Sequence, residues 1–253
     1  MRYINTLIIG CLVGFCLFVA PVMAGKIAIV IDDIGYKSTD QKLLEMDAQL
    51  TYAVLPHTPM GTEYAKFAAE KNRDVIIHLP MQAQAKNRLL GPGALTSQMS
   101  KQQFKQTLIS ALEDIPFAIG INNHMGSKLT QEYSPMAWTM RYLKEHNLMF
   151  IDSVTSEHSK ARKLARHFGV PSLSRHLFLD NKLDQSYISG QFAQLVREAK
   201  KYKRVVAIAH PHPETVEALS YLLPQLAVHD IELVGVSKLL PRTLQFTSGT
   251  SAE

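Results

Sequence analysis

The chain has almost no cysteine, and what it has lies in one place. Cys11 and Cys16 sit in an apolar N-terminal stretch, and no cysteine follows them. Beyond that stretch the chain cannot form a disulfide, use a thiol nucleophile or build a cysteine zinc site. Charge is missing from the same stretch: Arg2 is the only charged residue before Lys26. The apolar run over residues 7–20 is shorter than the roughly 20 residues a spanning helix needs. It ends in Pro21-Val22-Met23-Ala24, whose Val22 and Ala24 suit the positions before a signal peptidase cut. The expectation is a removable export signal over residues 1–24, an uncleaved anchor being the other reading. The mature chain is then exported, periplasmic or extracellular, with no stable membrane span. Its removal lowers the formal net charge of +5 by one.

Also lacking is any Pro/Gly/Ser-rich linker that would divide the rest, so residues 25–245 are expected to form one domain, with residues 246–253 a disordered tail. Charged residues make up only 19% and hydrophobic ones 46%, which excludes a disordered chain and allows a large core. The basic residues fall on expected helices, as in Lys160, Arg162, Lys163 and Arg166. They read as solvated faces, and with no nucleic-acid motif present, nucleic acid is not an expected partner.

What is present is a repeated strand-then-helix pattern. Apolar runs at 26–31, 52–55, 75–78, 117–121, 149–151, 177–179, 204–209 and 231–236, most of them with β-branched residues, read as buried parallel strands. Helical patterns lie between them, at 39–47, 61–71, 100–113, 135–145, 159–168, 191–201 and 214–227. Ser100-Lys101-Gln102-Gln103 has the form of a capping box. About 230 residues arranged this way predict an α/β fold, a distorted (β/α) barrel of seven to eight parallel strands; a doubly wound open sheet is the alternative. Residues 79–99 make a long loop containing Gly91-Pro92-Gly93, of the kind that is usually functional or mobile.

The polar residues collect at strand ends: Asp32-Asp33, His78, Asn122-Asn123-His124, Asp152-Ser153, Arg175, Asp180-Asn181 and His210. In parallel α/β folds the C-terminal strand ends share one face, where active sites lie. Each residue alone has a plain structural reading, such as a turn former or an Arg175–Asp180 surface ion pair. Together, two carboxylates and three histidines suit metal-assisted hydrolysis. One carboxylate and two imidazoles would hold a divalent ion such as Zn²⁺, with Co²⁺ or Mn²⁺ as other candidates. The second carboxylate would take a proton and the third histidine would give one.

The segments Ile29-Val30-Ile31-Asp32-Asp33-Ile34-Gly35, Asn122-Asn123-His124-Met125-Gly126-Ser127, Phe150-Ile151-Asp152-Ser153, Phe178-Leu179-Asp180-Asn181 and Ala209-His210-Pro211 resemble the divergent polysaccharide deacetylase family, a distant relative of the NodB-type deacetylases. The resemblance runs over residues 26–240. It implies a distorted barrel, a divalent metal and removal of N-acetyl groups from a carbohydrate polymer, of which peptidoglycan is one candidate. It also implies Asp32 as general base, Asp33 and His124 as metal ligands and His210 as general acid. The NodB pattern places a second metal histidine four residues after the first; here that position is Lys128. His78, from the neighbouring strand, is the expected replacement, and Asp152 and Arg175 are expected to orient the catalytic groups. A catalytically silent barrel that binds glycan or a partner protein is the second reading, and a metal-free glycosidase using Asp32 and Asp152 the third.

Overall fold

The computed structural model describes residues 25–241. The expected export segment and tail lie outside the described residues. Nine strands form one sheet in which every pairing is parallel: β1 Gly25–Ile34, β2 Thr51–Val54, β3 Val75–Met81, β4 Gly120–Met125, β5 Met149–Asp152, β6 Ser172–Ser174, β7 Leu177–Phe178, β8 Arg204–Ala209 and β9 Ile231–Leu233. Eight lie along the path β6-β5-β4-β3-β2-β1-β8-β7, and β9 pairs with β1. The helices are α1 Gln41–Glu45, α2 Gly61–Glu70, α3 Lys101–Asp114, α4 Tyr133–Glu145, α5 Ala161–Phe168, α6 Gln185–Tyr202 and α7 Pro213–Leu222.

Strand alternation separates two cores. Ile27, Ile29 and Ile31 of β1, with Val205 and Ala207 of β8, pack outward in a large cluster with helix residues such as Phe104, Met140 and Leu195. Ala28, Val30, Ala53, Ile76, Ile151, Val206 and Ile208 form a smaller cluster between the strands. Both sides of the strands are thus apolar, which is why they read as continuous hydrophobic runs. Fully buried isoleucines of this kind contribute roughly 2–3 kcal/mol each.

The barrel is closed by a segment rather than by one strand. Ser174 pairs with Asp152 on β5, the Arg175 N–H bonds to the Asp152 carbonyl, the His176 N–H bonds to Val206, and Leu177 pairs with Ala207 on β8. Seven residues therefore cross from one edge of the sheet to the other. The lower end of the lumen is covered by β9 and the 3-10 turn Val236–Leu239. The Val234 N–H bonds to the Ile27 carbonyl, Val236 N–H to Thr51 Oγ1, and Ser237 N–H to Asp74 Oδ2.

Several expected boundaries change. The fourth strand begins at Gly120 rather than 117. α6 begins at Gln185 rather than 191, because the Asp184 carboxylate accepts the Tyr187 N–H and starts the helix earlier. The last expected helix splits at Leu222 into α7 and a 3-10 segment containing Pro224, which cannot donate to an α-helical ladder. The final strand is shorter than 231–236 and lies beside β1 instead of taking a place along the path. β6, with no apolar signal, is an addition. Among the described residues no helix is long and apolar enough to cross a membrane.

Candidate metal centre and active site

The lumen's upper layer is polar because the inward positions of several strands change character at their C-terminal ends. On β1 the inward series Ala28, Val30 continues to Asp32; on β3, Ile76 is followed by His78; on β8, Val206 and Ile208 are followed by His210. His78 lies directly opposite Asn122 in the β3–β4 ladder. Strict alternation would send Asp33 outward. It does not go there, because the β1–β2 register shifts between Ile31 and Ile34 and Asp33 adopts a left-handed backbone, φ +60°. Gly35 follows at φ +132°, where a Cβ would overlap Thr58 Oγ1, so the turn requires glycine.

Three ligand atoms meet. Asp33 Oδ1 lies 3.1 Å from His78 Nε2 and 3.1 Å from His124 Nδ1, and the two nitrogens are 3.0 Å apart. Asp33, His78 and His124 thus each present one ligand atom, all within 4.8 Å of one another, a spacing that one metal ion could bridge. The hydrogens of both imidazoles are engaged elsewhere. His78 Nδ1 lies 2.8 Å from Asn122 Oδ1 and His124 Nε2 lies 3.4 Å from the Leu89 carbonyl. Both partners only accept, so each histidine donates there and turns a lone pair toward Asp33. Asp33 Oδ1 is buried and has no hydrogen-bond donor. Two nitrogen lone pairs and a carboxylate oxygen converging with no hydrogen between them form the donor set of a cation site, and two atoms about 2.1 Å from one tetrahedral zinc ion lie roughly 3.4 Å apart. A histidine ligand that donates its other N–H to a carbonyl is the usual outer support of such sites. The residues present therefore fit a divalent metal.

The electrostatics agree. Burial opposes ionisation of Asp33, but the facing imidazoles outweigh it and hold its carboxyl well below the usual range. Burial also opposes charge on His78, and Asp32 and Asp33 more than offset this, raising its pKa. Since the imidazole hydrogens point away from Asp33, this stabilisation needs a positive charge at the centre, whether an added proton or a cation.

Asp32 and His210 flank the set. Asp32 is buried and accepts from Asn122 Nδ2 at 2.7 Å, its other oxygen lying 3.7 Å from His78 Nε2. Burial raises its pKa, with His78 and His210 working the other way. His210 has its Nδ1 3.0 Å from Asp180 Oδ1, and its own N–H bonds to Asp180 Oδ2, which also accepts from Thr215. Burial disfavours its imidazolium, but Asp180, and more weakly Asp32 and Asp33, push its pKa up to about 9.

Arg175 and Asp152 do other work. Arg175 donates to the carbonyls of Ser153 (2.6 Å) and Val154 (2.9 Å), and its guanidinium lies 3.9 Å from the Phe178 ring centre. That ring stacks on His210 at 5.9 Å. Arg175 thus reaches His210 through Phe178 and supports Val154, a β-branched residue at φ +48°. The Arg175–Asp180 surface pair weighed from sequence does not form; each has the partners just named. Asp152, one residue past inward-facing Ile151, accepts from Val154 N–H and Ser159 Oγ, so its carboxylate serves its own loop. The sequence reading missed Asp180 as partner of His210, Asn122 as bridge between Asp32 and His78, and the Leu89 carbonyl. Asp180 carried a signal, since it ends a short strand as His210 does; a backbone carbonyl carries none. Lys128 stays outside the metal group; its N–H bonds to the Gln82 carbonyl.

Comparison with known proteins is consistent with this arrangement. A family model described as divergent polysaccharide deacetylase matches residues 29–240. The chain is 39% identical over 222 residues to the Escherichia coli protein YibQ, covering 87% of this chain and 69% of that one. The crystal structure of protein ATU2773 from Agrobacterium tumefaciens matches with a TM-score of 0.82 at 20% identity, over 87% of this chain and 91% of that one. The catalytic domain of a peptidoglycan N-acetylglucosamine deacetylase from Eubacterium rectale matches with a TM-score of 0.57 at 14% identity, over 86% and 91%. The last two likenesses concern the fold alone. The chain belongs to the divergent polysaccharide deacetylase family.

Proposed function

We propose that the protein is an exported, metal-dependent amidohydrolase that removes N-acetyl groups from an envelope glycan, peptidoglycan being one candidate. The observation that carries this is the convergence of Asp33, His78 and His124 lone pairs beside a spare buried carboxylate and a protonated histidine. A divalent ion held there, such as Zn²⁺, supplies Lewis acidity to an acetamide carbonyl and to a water. Asp32, its basicity raised by burial, takes the water's proton. His210, charged at neutral pH, gives a proton to the departing amine, with Asp180 holding its ring. Arg175 keeps Phe178 against that ring. The composition of residues 1–24 supports a periplasmic or extracellular location.

The test is acetate release from N-acetylated oligosaccharides by metal-free protein with and without added Zn²⁺, Co²⁺ or Mn²⁺. Metal-dependent release that is lost in Asp33→Ala is expected. One feature favours the second reading, a silent glycan-binding barrel: Lys128 stands where the NodB pattern has its second metal histidine. That reading expects no acetate with any of the three ions, while the protein still binds glycan.

A further inference from the structure

Asn122 has no solvent exposure and lies between two nearly buried partners, Asp32 and His78. It reaches Asp32 from a strand that is not its neighbour, since β4 and β1 are separated by β3 and β2. The amide orientation follows from chemistry. Ionised Asp32 only accepts, so the NH₂ group faces it at 2.7 Å, and the carbonyl must then face His78 Nδ1 at 2.8 Å. The imidazole has one hydrogen when neutral, and this carbonyl holds it on Nδ1.

We propose that Asn122 is the positioning residue that makes His78 a metal ligand: anchored by Asp32, it sets the tautomer that leaves Nε2 bare toward Asp33 and His124. This rests on the metal-site reading above and adds the reason why a histidine from β3 can serve where the four-residue spacing offers only Lys128. The role needs a donor and an acceptor on one short side chain. Leucine at 122 would leave the Asp32 oxygen and His78 Nδ1 unpaired in a dry site, and a buried polar group without a partner is costly. The His78 ring would then be free to carry its hydrogen on Nε2, pointing at the metal position. Aspartate would still accept from Nδ1 while crowding Asp32.

The experiment is long-range ¹H–¹⁵N correlation of the histidine side chains in metal-free full-length protein, at a pH high enough for the His78 ring to be neutral, paired with Zn²⁺ titration. Wild type is expected to show His78 with its hydrogen on Nδ1. Asn122→Leu should lose that signature and bind Zn²⁺ about 10–100-fold more weakly, the usual cost of losing an outer partner of a metal histidine. Asn122→Asp should keep the tautomer and recover part of the affinity; it also provides the measurement if Asn122→Leu does not fold. An Nε2–H tautomer in wild type, or Asn122→Leu with unchanged tautomer and affinity, overturns the proposal. A wild type with the Nδ1–H tautomer that takes up no metal overturns the metal-site reading and, with it, the role of Asn122 toward a metal.

Discussion

Asp32 and Asp33 are adjacent in the chain, yet both carboxylates come to the same histidine: His78 Nε2 lies 3.7 Å from Asp32 Oδ2 and 3.1 Å from Asp33 Oδ1. The bulge at the end of β1 makes this possible, and it divides the labour. Asp33 shares its oxygen with both histidines, whereas Asp32 is turned to Asn122 and its second oxygen stands off from His78 Nε2 at 3.7 Å.

Substitution of the two should therefore separate binding from turnover. Asp33→Ala removes a ligand, and calorimetric Zn²⁺ affinity is expected to fall together with activity. Asp32→Asn should bind Zn²⁺ within a few-fold of wild type and lose about 10²–10⁴-fold in turnover, the usual contribution of a positioned base. Equal loss of metal by both variants would refute the division.

Protons compete with metal at this site. The Asp33 carboxyl is held low and His78 is raised, so as pH falls an added proton fills the centre that a cation would otherwise occupy. Zn²⁺ affinity should weaken as pH falls, with protons released on binding, seen as a buffer-dependent heat. A pH-independent affinity between pH 5 and 8 would contradict it.

His210 gives a second pH signature. Its folded pKa is about 9 against an ordinary 6.5. A raised pKa contributes stability that is fully present below about 6.5 and is lost as pH rises through about 9. With the residue partly exposed, the contribution is on the order of 1–3 kcal/mol. NMR titration of the His210 ring should show a midpoint near 9, and Asp180→Asn should lower it. Denaturant melts at pH 7 and pH 10 should differ less in Asp180→Asn than in wild type.

The barrel floor is tied by Asp74, which accepts from the Ser237 N–H at 2.8 Å and its hydroxyl at 3.1 Å. Asp74→Ala leaves that N–H unpaired and is expected to cost about 1–3 kcal/mol. Metal affinity should be unchanged, because the substitution lies at the opposite end of the strands.

The legible parts of the sequence were those where one residue type has one physical use. Ile27 to Ile31 could only be a strand covered on both faces, and the Ser100 capping box appears as drawn, with Ser100 accepting from Gln103 N–H. His78, His124 and Asp33 could be brought together on paper because all three end parallel strands. What could not be read depended on local geometry. Asp152 and Ser153 differ by one step in a strand, which decides that the first turns to Ser159 and the second to the lumen side. β6 carries no periodic signal at three residues, and its pairing is set by a neighbour distant in sequence. Asn122 and Asn123 look alike in the chain, yet one joins Asp32 to His78 and the other holds the Ser153 N–H and the Met125 carbonyl.

The segment that closes the barrel has a consequence for how the chain tolerates changes of length. Between Ser174 and Leu177 only Arg175 and His176 intervene, and the backbone of each is bonded, to Asp152 and to Val206. An inserted residue there would reverse the facing of Phe178 and draw Asp180 away from His210, so it would remove the proton donor's support without touching any metal ligand. Insertions and deletions should therefore be refused at 174–180, whatever residues are used.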